Sequence, residues 1–374
     1  FTTADITAPT VVLSTTTGSP TNTSFTVTIT VSETVTNFDL ADIKVTNGTA
    51  SIFNKINNTT YTALISPTSD GETTVSILAN ALQDVSSNNN NNTASNVLTL
   101  NYDITKPTVV ITSDTTNPSN VSSFIATFTF SEDVADFDES FFTLTNATSS
   151  NFTAVNDALF KATITPTADG VVKINIAADE VEDNANNSSV AVEFTTVIET
   201  VKPTVTITSS VANPTNSTFT TTFTFSEDVT GFDVTDITLG NATASNFVAT
   251  SAKVYSALIS PTTDGIVTVD IAKDVAQDAA SNGNIAATQF STLNDVTKPT
   301  VTITSNKSNS INSAFTATFT FSEDVTGFDI NDLSLVNSTA SNFTTTSAKV
   351  YTAIITPILE GAFTVDIAKD IAMD

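Results

Sequence analysis

Apolar and hydroxyl side chains alternate along short stretches of this chain. Between Phe219 and Ser226 the odd positions are Phe219, Thr221, Phe223 and Phe225, whereas the even positions are all Thr or Ser. Successive side chains of a strand point to opposite faces of a sheet, so this pattern predicts a β-strand with one buried, Phe-rich face. Three rings on one face indicate the core of a β-sandwich rather than a strand solvated on both sides.

Six further strands are predicted around this one. The turn from Pro261 to Gly265 reads PTTDG, in which Pro restricts φ and Gly supplies a positive φ. Seven short strands within roughly a hundred residues are typical of an immunoglobulin-like Greek-key sandwich. The predicted strands are Thr204–Ser209, Phe219–Ser226, Ile237–Leu239, Ala244–Val248, Tyr255–Ile259, Val267–Ile271 and Ala286–Thr292.

The whole pattern occurs four times along the chain. A Pro-Thr-Val block begins at Pro9, Pro107, Pro203 and Pro299, so the repeat is 98, 96 and 96 residues long. We therefore predict an all-β chain of tandem sandwiches that lie end to end as a rod, because the linkers are only a few residues long. The predicted divisions are 1–5 (the end of a preceding repeat's last strand), 6–103, 104–199, 200–295 and 296–374, the last without its final strand.

Composition narrows the classes of function. The chain has 39 Asp and Glu but only 12 Lys and Arg, and its formal charge is −27. Nucleic-acid binding needs clustered cations, so we predict no nucleic-acid partner. Neither Cys nor His occurs, which excludes disulfides and the usual ligands of zinc, copper and iron. No apolar run approaches the roughly 20 residues that span a bilayer.

Four motifs indicate a family. The segments PTVTITS, FTFSEDVTGFDVTDITLGNATASNF, YSALISPTTDG and IAKDVAQDAASNGN together resemble the bacterial Ig-like repeats that build the stalks of large surface adhesins and extracellular fibres. The resemblance covers essentially the whole chain. It implies a secreted module at the cell surface that spaces or displays other domains and is not an enzyme.

Acidic residues recur near the repeat boundaries and suggest a calcium site. Ca²⁺ binds six to eight oxygen atoms, so a boundary acid and a Ser-Glu-Asp loop could share one ion. The alternative is that these are solvated charges at strand ends. The candidate ligands are the boundary acids Asp5, Asp103, Glu199 and Asp295 and the loop pairs Glu132-Asp133, Glu227-Asp228 and Glu323-Asp324, with Glu33 alone in the first repeat.

Two departures from a regular pattern argue against an identical ion site in every repeat. The family's Asp-x-Ala-Gly-Asn turn appears without its Gly, for example from Asp278 to Asn282. The second repeat has Glu139-Ser140-Phe141 where the others carry Asp42, Asp236 and Asp332. A paired-carboxylate hydrolase is the weakest alternative, because adjacent strand residues point to opposite faces, and we predict no catalytic residues.

Asn-x-Ser/Thr motifs mark candidate glycosylation sites. Four of them share one position in every repeat, just beyond the third strand. The alternative is that these four are turn-forming residues. The shared position is occupied by Asn47, Asn146, Asn241 and Asn337, and the further candidates are Asn120, Asn151, Asn216 and Asn342.

Three hypotheses for function remain open. The first is a structural stalk or fibre whose partners are neighbouring repeats and copies of itself. The second is an adhesin module whose loops bind a surface glycan or a protein, although the absence of Trp and the presence of only four Tyr disfavour a sugar-binding platform. The third is a subunit that polymerises when Phe1–Thr7 of one copy completes the fourth sandwich of the next. A longer natural array explains the same two ends.

Overall fold

The computed structural model describes residues 5–308 and 311–374. These residues form antiparallel sheets and four short 3-10 helices, so the all-β prediction is confirmed. The chain divides into two compact units, of which the first runs through Lys202 and includes Gln277–Gly283, and the second comprises Pro203–Ala276 and Asn284–Asp374. Within the described residues, no helix is long and apolar enough to cross a membrane.

The first unit begins with a sandwich of nine strands. They are β1 (Val11–Ser14), β2 (Phe25–Val31), β3 (Val35–Thr36), β4 (Ile43–Thr46), β5 (Gly48–Lys55), β6 (Thr60–Pro67), β7 (Gly71–Ile77), β8 (Gln83–Asp84) and β9 (Leu98–Tyr102). One sheet has the order β1-β2-β6-β5 and faces a second sheet, β4-β7-β9, while β3 and β8 form a short pair. The 3-10 helix Leu40–Asp42 precedes β4.

The second sandwich of this unit has seven strands. They are β10 (Val109–Ser113), β11 (Phe124–Phe130), β12 (Thr143–Thr145), β13 (Ala147–Asn156), β14 (Leu159–Pro166), β15 (Gly170–Ile176) and β16 (Val192–Ile198). The sheet orders β10-β11-β14-β13 and β12-β15-β16 repeat those of the first sandwich. The 3-10 helix is Glu139–Phe141.

The second unit contains the third and fourth repeats. The third has β17 (Val205–Ser209), β18 (Phe219–Phe225), β19 (Ile237–Gly240), β20 (Ala242–Ala249), β21 (Val254–Pro261), β22 (Gly265–Ile271) and β23 (Phe290–Asn294), with the 3-10 helix Val234–Asp236. The fourth has β24 (Val301–Ser305), β25 (Phe315–Phe321), β26 (Leu333–Val336), β27 (Ser338–Ser347), β28 (Val350–Pro357) and β29 (Thr364–Ile367), with the 3-10 helix Ile330–Asp332. The sheets are β17-β18-β21-β20, β19-β22-β23, β24-β25-β28-β27 and β26-β29.

The Phe alternation forms the core, as predicted. Phe128, Phe223 and Phe319 are completely buried at equivalent positions of the second strand of their repeats, and Ile29 takes this position in the first. Burying one such ring contributes roughly 1.5–3 kcal/mol to folding. Each repeat has its own cluster of buried apolar residues, which is what independent sandwiches require.

The seventh strand of the third repeat starts four residues later than predicted. It begins at Phe290 rather than Ala286 because backbone N–H groups before Phe290 form hydrogen bonds outside the strand ladder. Ile285 N–H donates to Pro203 O at 2.8 Å, and Ala287 N–H donates to Ile271 O at 3.0 Å. These bonds hold the preceding residues in a loop, and the strand ladder begins only beyond it.

Candidate cation site at the repeat boundaries

Three carboxylates from distant parts of the chain meet at the first, second and fourth boundaries. One is the acid just beyond the previous sandwich, one is the Glu that follows the second strand, and one is an Asp in the last long loop. In each group, one carboxylate oxygen per residue lies within 4.8 Å of the other two. The groups are Asp5, Glu33 and Asp84; Asp103, Glu132 and Asp183; and Asp295, Glu323 and Asp374.

The loop Asp is held by its own turn. Asp183 is 3% exposed, and its Oδ1 accepts hydrogen bonds from the N–H groups of Ala185 at 2.7 Å and Asn187 at 2.8 Å. Its Oδ2 accepts a third from Asn187 Nδ2 at 2.8 Å. An Asp side chain that bonds backbone N–H groups a few residues ahead stabilises such a turn. The sequence Asp-x-x-x-Asn therefore places a buried carboxylate at the boundary.

The Asn of the same turn ties the loop to the boundary acid. Asn187 Nδ2 also donates to the backbone oxygen of Asp103 at 2.9 Å. In the first repeat, Asn90 Nδ2 donates to Asp84 Oδ2 at 2.8 Å and to Asp5 O at 3.0 Å. In the first and second groups, one amide thus positions two of the three acidic residues.

The central Glu of each group is electrostatically disfavoured as a carboxylate. Burial, followed by the negative charges of Asp103 and Asp183, raises the pKa of Glu132. Burial and neighbouring acids likewise raise the pKa of Glu33 and the pKa of Glu323. A cation at the centre of the group would reverse this effect, because opposite charge favours the ionised form.

The pKa of the loop Asp in the first group is shifted in the opposite direction. Burial by itself would raise the pKa of Asp84, but the hydrogen bonds from Ser86 and Asn90 outweigh it and lower that pKa. Hydrogen bonds to the charged form stabilise it. The first two groups therefore combine a loop Asp held by hydrogen bonds with a Glu whose ionised form is disfavoured.

The oxygen atoms fit a hard divalent cation. In the fourth repeat, Glu323 Oε1 is buried and has no hydrogen-bond donor among the described residues. Three carboxylates supply only part of the six to eight oxygens that Ca²⁺ takes, so carbonyl groups and water would complete the shell.

At the third boundary, the structure shows part of the same arrangement within the first unit. Asn282 Nδ2 donates to Glu199 Oε2 and to Asp278 Oδ2, each at 2.9 Å, and to Glu199 O at 2.9 Å. Asp278 is buried, and its hydrogen bonds with Asn282 outweigh the effect of burial and lower its pKa. Glu227 belongs to the second unit, where it follows β18.

The structure thus brings together some of the residues singled out in the sequence and omits others. Asp133, Asp228 and Asp324 are exposed, and none of them is a member of an acidic group. Each follows its Glu in the turn beyond the second strand of the repeat. Sequence reasoning missed the loop acids Asp84, Asp183, Asp278 and Asp374. For the first three, the signal was the Asp-x-x-x-Asn turn.

The aspartates that differ in the second repeat have a separate role. Asp236 Oδ2 accepts the N–H of Asp233 at 2.8 Å, and Asp233 Oδ1 accepts the N–H of Thr235 at 2.7 Å. This reciprocal pair is a capping box at the start of a 3-10 helix. In the second repeat, Phe141 stands where Asp236 stands in the third, so Asp138 still caps the helix but the reciprocal bond is lost, and the acidic group is intact.

The shared Asn position has the geometry of a turn. Asn47, Asn146, Asn241 and Asn337 have φ between 52° and 58°, in the left-handed region that Asn tolerates. Each Nδ2 donates to the backbone of the loop after the fifth long strand of its repeat, for example Asn241 Nδ2 to Thr263 O at 2.8 Å. These side chains are half-buried.

The other glycosylation candidates differ in access. Asn151 and Asn342 are exposed, have φ of 52° and 48°, and lie at bulges of edge strands. Asn120 is also exposed, but its Nδ2 donates to Asn282 Oδ1 at 3.1 Å. Asn216 is exposed in the second unit.

Comparisons with known proteins agree with the repeat structure. The family model described as bacterial Ig-like domain matches residues 5–102, 103–197, 199–294 and 295–374. Among solved structures, invasin, a bacterial integrin-binding protein, is 16% identical, with 98% of this chain and 78% of invasin covered and a TM-score of 0.36. No curated protein matches the sequence.

Two further solved structures are similar at low identity. A tetra-tandem repeat from the extending region of a large adhesion protein is 16% identical over 96% of this chain and 90% of that chain, with a TM-score of 0.29. InvD of Yersinia pseudotuberculosis is 13% identical over 76% of this chain and 97% of that chain, with a TM-score of 0.35.

Proposed function

Because the chain belongs to the bacterial Ig-like domain family, we propose that it is a structural segment of an extracellular stalk or fibre, without enzymatic activity, that spaces or displays other modules at a cell surface. The observation that carries this proposal is the repetition of the boundary contacts. Asn22 Nδ2 donates to Asn187 Oδ1 at 3.2 Å, and Asn120 makes the equivalent bond one repeat later. In a stalk that is extended by adding repeats, the same contact should form at each boundary between repeats.

The linkers support the same role. Asp70 in the turn after β6 accepts hydrogen bonds from Ile104 N–H at 2.8 Å and from Thr105 Oγ1 at 2.5 Å. In the second unit, Asp264 accepts hydrogen bonds from Val296 N–H at 2.7 Å and from Thr297. Each linker is therefore held by the sandwich that precedes it, which limits bending.

Small-angle X-ray scattering of the full chain tests the extended form. A compact globule of this length has a radius of gyration of about 21 Å. A semi-rigid stalk should give at least twice that value. A value close to the globular one would contradict the proposal.

Calcium at the boundaries would stiffen such a stalk. The three-carboxylate groups and the unpaired Glu323 Oε1 support a Ca²⁺ site at the first, second and fourth boundaries. Titration with Ca²⁺ should raise the melting temperature, and EDTA should reverse the rise. Asp183→Asn should reduce the number of bound ions by one, with Asp133→Asn as the control. An unchanged melting profile in the presence of calcium would rule this site out.

N-linked glycans are a second candidate modification. Exposure of Asn151 and Asn342 supports these two positions, and Asn151 Nδ2 makes only a long hydrogen bond of 3.5 Å to Thr163 Oγ1. The amides of the shared position and of Asn120 make shorter ones, such as Asn241 Nδ2 to Thr263 O at 2.8 Å and Asn120 Nδ2 to Asn282 Oδ1 at 3.1 Å. Peptide mass spectrometry of the native chain should find sugar on Asn151 and Asn342 first. Unmodified peptides at both positions would contradict this assignment.

Strand exchange is a second candidate function. Among the described residues, strand β29 pairs with β26, whereas its equivalent β22 pairs with both β19 and β23. Val365 and Ile367 are only half-buried, although their equivalents Val269 and Ile271 are buried. A strand added beside β29 would cover them. Of the predicted donor, Phe1–Thr7, residues 1–4 lie outside the described part of the chain.

A synthetic peptide of residues 1–7 tests this function. It should bind the chain and raise the melting temperature of the fourth repeat, whereas a peptide with Phe1→Asp should not. If the native chain already supplies a strand beside β29 from beyond Asp374, the peptide will have no effect and the strand-exchange function is excluded.

A further inference from the structure

The four-stranded sheets are free of carboxylates. Their sixteen strands, all within the described residues, contain neither Asp nor Glu, although the chain has 39 of these residues. Only Lys55 and Lys161 in these strands are charged. Acidic residues are common everywhere else, so the outward face of these sheets is set apart by what it lacks.

That outward face, which we call the hydroxyl face, consists mainly of Thr and Ser in register across four strands. In the fourth repeat, strand pairing places Thr304, Thr318, Thr352 and Thr344 in one row. The corresponding row of the third repeat is Thr208, Thr222, Ser256 and Val248. The same row reads Ser14, Thr28, Thr62 and Asn54 in the first repeat and Thr112, Thr127, Lys161 and Thr153 in the second.

The other sheet of each repeat provides the contrast. Its strands carry Lys44 and Glu72 in the first repeat, Lys173 and Glu193 in the second, Asp270 in the third and Asp366 in the fourth. Thr is a common outward residue in any strand, so hydroxyl content alone would mean little. Both sheets of each repeat are antiparallel, yet Asp and Glu occur in the strands of only one of them. This difference requires an explanation.

We propose that the hydroxyl face is the surface through which two copies of this chain associate side by side. Two chains of formal charge −27 repel each other wherever acidic surfaces approach. The hydroxyl face is where they can approach without burying carboxylates, which is costly unless each is paired. Thr and Ser can exchange hydrogen bonds with the same residues of a partner, because each hydroxyl both donates and accepts.

A second copy fits this face better than other partners do. A nucleic acid would need clustered cations, and Lys161 is the one charge in the rows described above. Aromatic side chains, which supply large, rigid contact area to many binding sites, are absent from these rows. A like copy needs only an uncharged, self-complementary surface.

The area sets the number of repeats required. Four strands about 4.8 Å apart and five residues long cover roughly 300 Å². A stable interface buries about 800 Å² per partner, so the faces of about three repeats are needed. One repeat should therefore stay monomeric, whereas the tandem chain gains affinity from linked contacts.

Sedimentation equilibrium of the full chain tests the proposal, which rests on the proposed structural function. We expect a monomer–dimer equilibrium that strengthens between 20 mM and 500 mM NaCl, because salt screens the repulsion between acidic surfaces. Thr224→Glu with Thr320→Glu, both exposed on central strands of the hydroxyl face, should weaken dimerisation at least tenfold. Ser291→Glu with Thr364→Glu, exposed on the other sheets, is the matched control and should not.

The outcomes separate clearly. A monomer at every concentration and salt level, or equal weakening by both double variants, overturns the proposal. Sugars found on the Thr residues of the native hydroxyl face overturn it as well, since they would cover the surface. Circular dichroism confirms that each variant is folded. A monomer that scatters as an extended particle would leave the stalk function intact while removing the association.

Discussion

The amide nitrogen of Asn120 donates to the amide oxygen of Asn282, 3.1 Å away and one repeat further along the chain. Asn282 in turn bonds Asp278 and Glu199, so Asn120 supports the whole loop Gln277–Gly283. Removing it should cost the loop about 0.5–1.5 kcal/mol, the usual net value of one hydrogen bond.

Asn120→Ala is therefore expected to accelerate amide hydrogen exchange several-fold at residues 278–283. The control is Asn101→Ala, an exposed residue of β9. Equal exchange in the two variants would show that the boundary does not depend on this bond.

The effect of Glu132→Gln on folding stability should have opposite signs without and with calcium. Without calcium, the substitution removes a carboxylate that burial and its acidic neighbours disfavour, so stability should rise by about a few tenths of a kcal/mol. With calcium, the same substitution removes a ligand and should lower stability. Thermal denaturation in EDTA and in CaCl₂ measures both, and the same sign in both buffers would contradict the site.

Stability in EDTA should rise as the pH falls from 7 towards about 4.3, the ordinary pKa of Glu. The raised pKa values of Glu33, Glu132 and Glu323 mean that the folded state takes up protons before the unfolded state does, so acidification favours folding. Calcium should abolish this rise. Urea denaturation at half-unit pH intervals measures it, and a flat profile would argue against strained carboxylates.

Below about pH 4.3, the ordinary pKa of Glu, folding stability should instead fall as the pH falls. Hydrogen bonds to Thr105 and to Ile104 N–H lower the pKa of Asp70, and similar bonds lower the pKa values of Asp138, Asp233 and Asp264. A lowered folded pKa contributes stability that is lost as the pH falls through it. Asp70→Ala should lower the denaturation midpoint at pH 7 and flatten the acid limb, whereas Glu72→Ala, an exposed neighbour, should do neither.

Ile52 is strained. It has φ of 47° at a bulge where the other repeats have Asn151, Asn246 and Asn342 at 48° to 52°. The left-handed conformation destabilises a β-branched residue by about 1–2 kcal/mol, whereas Asn tolerates it. Ile52→Asn should therefore stabilise the first repeat by about 1 kcal/mol, and Asn246→Ile should destabilise the third by a similar amount. Scanning calorimetry compares them, and two shifts of one sign would refute the account.

Much of the fold could be read from the sequence because period-two alternation places every second side chain on one face. Phe223 and Phe225 are buried where the pattern puts them. The start of β23 could not be read in the same way, because the backbone bonds of Ile285 and Ala287 to distant carbonyls decide it. Such pairings leave no local signal.

Only some residues of the candidate site could be predicted from the sequence. Boundary acids and the Ser-Glu loops stood out by recurrence, yet Asp183 joins them only because a turn buries it beside Asp103. Recurrence also selected Asp133, which is exposed and is not a member of the acidic group. Sequence shows which oxygens exist, and only folding shows which converge.

The boundary bonds also bear on how such a chain can change in length. Asn22 and Asn120 occupy the same position in successive repeats, as do their acceptors Asn187 and Asn282. Deleting one whole repeat in frame would bring Asn22 opposite Asn282 and recreate the joint, and duplicating one would add another. Recombination between repeats can therefore lengthen or shorten the molecule without any new contact having to evolve.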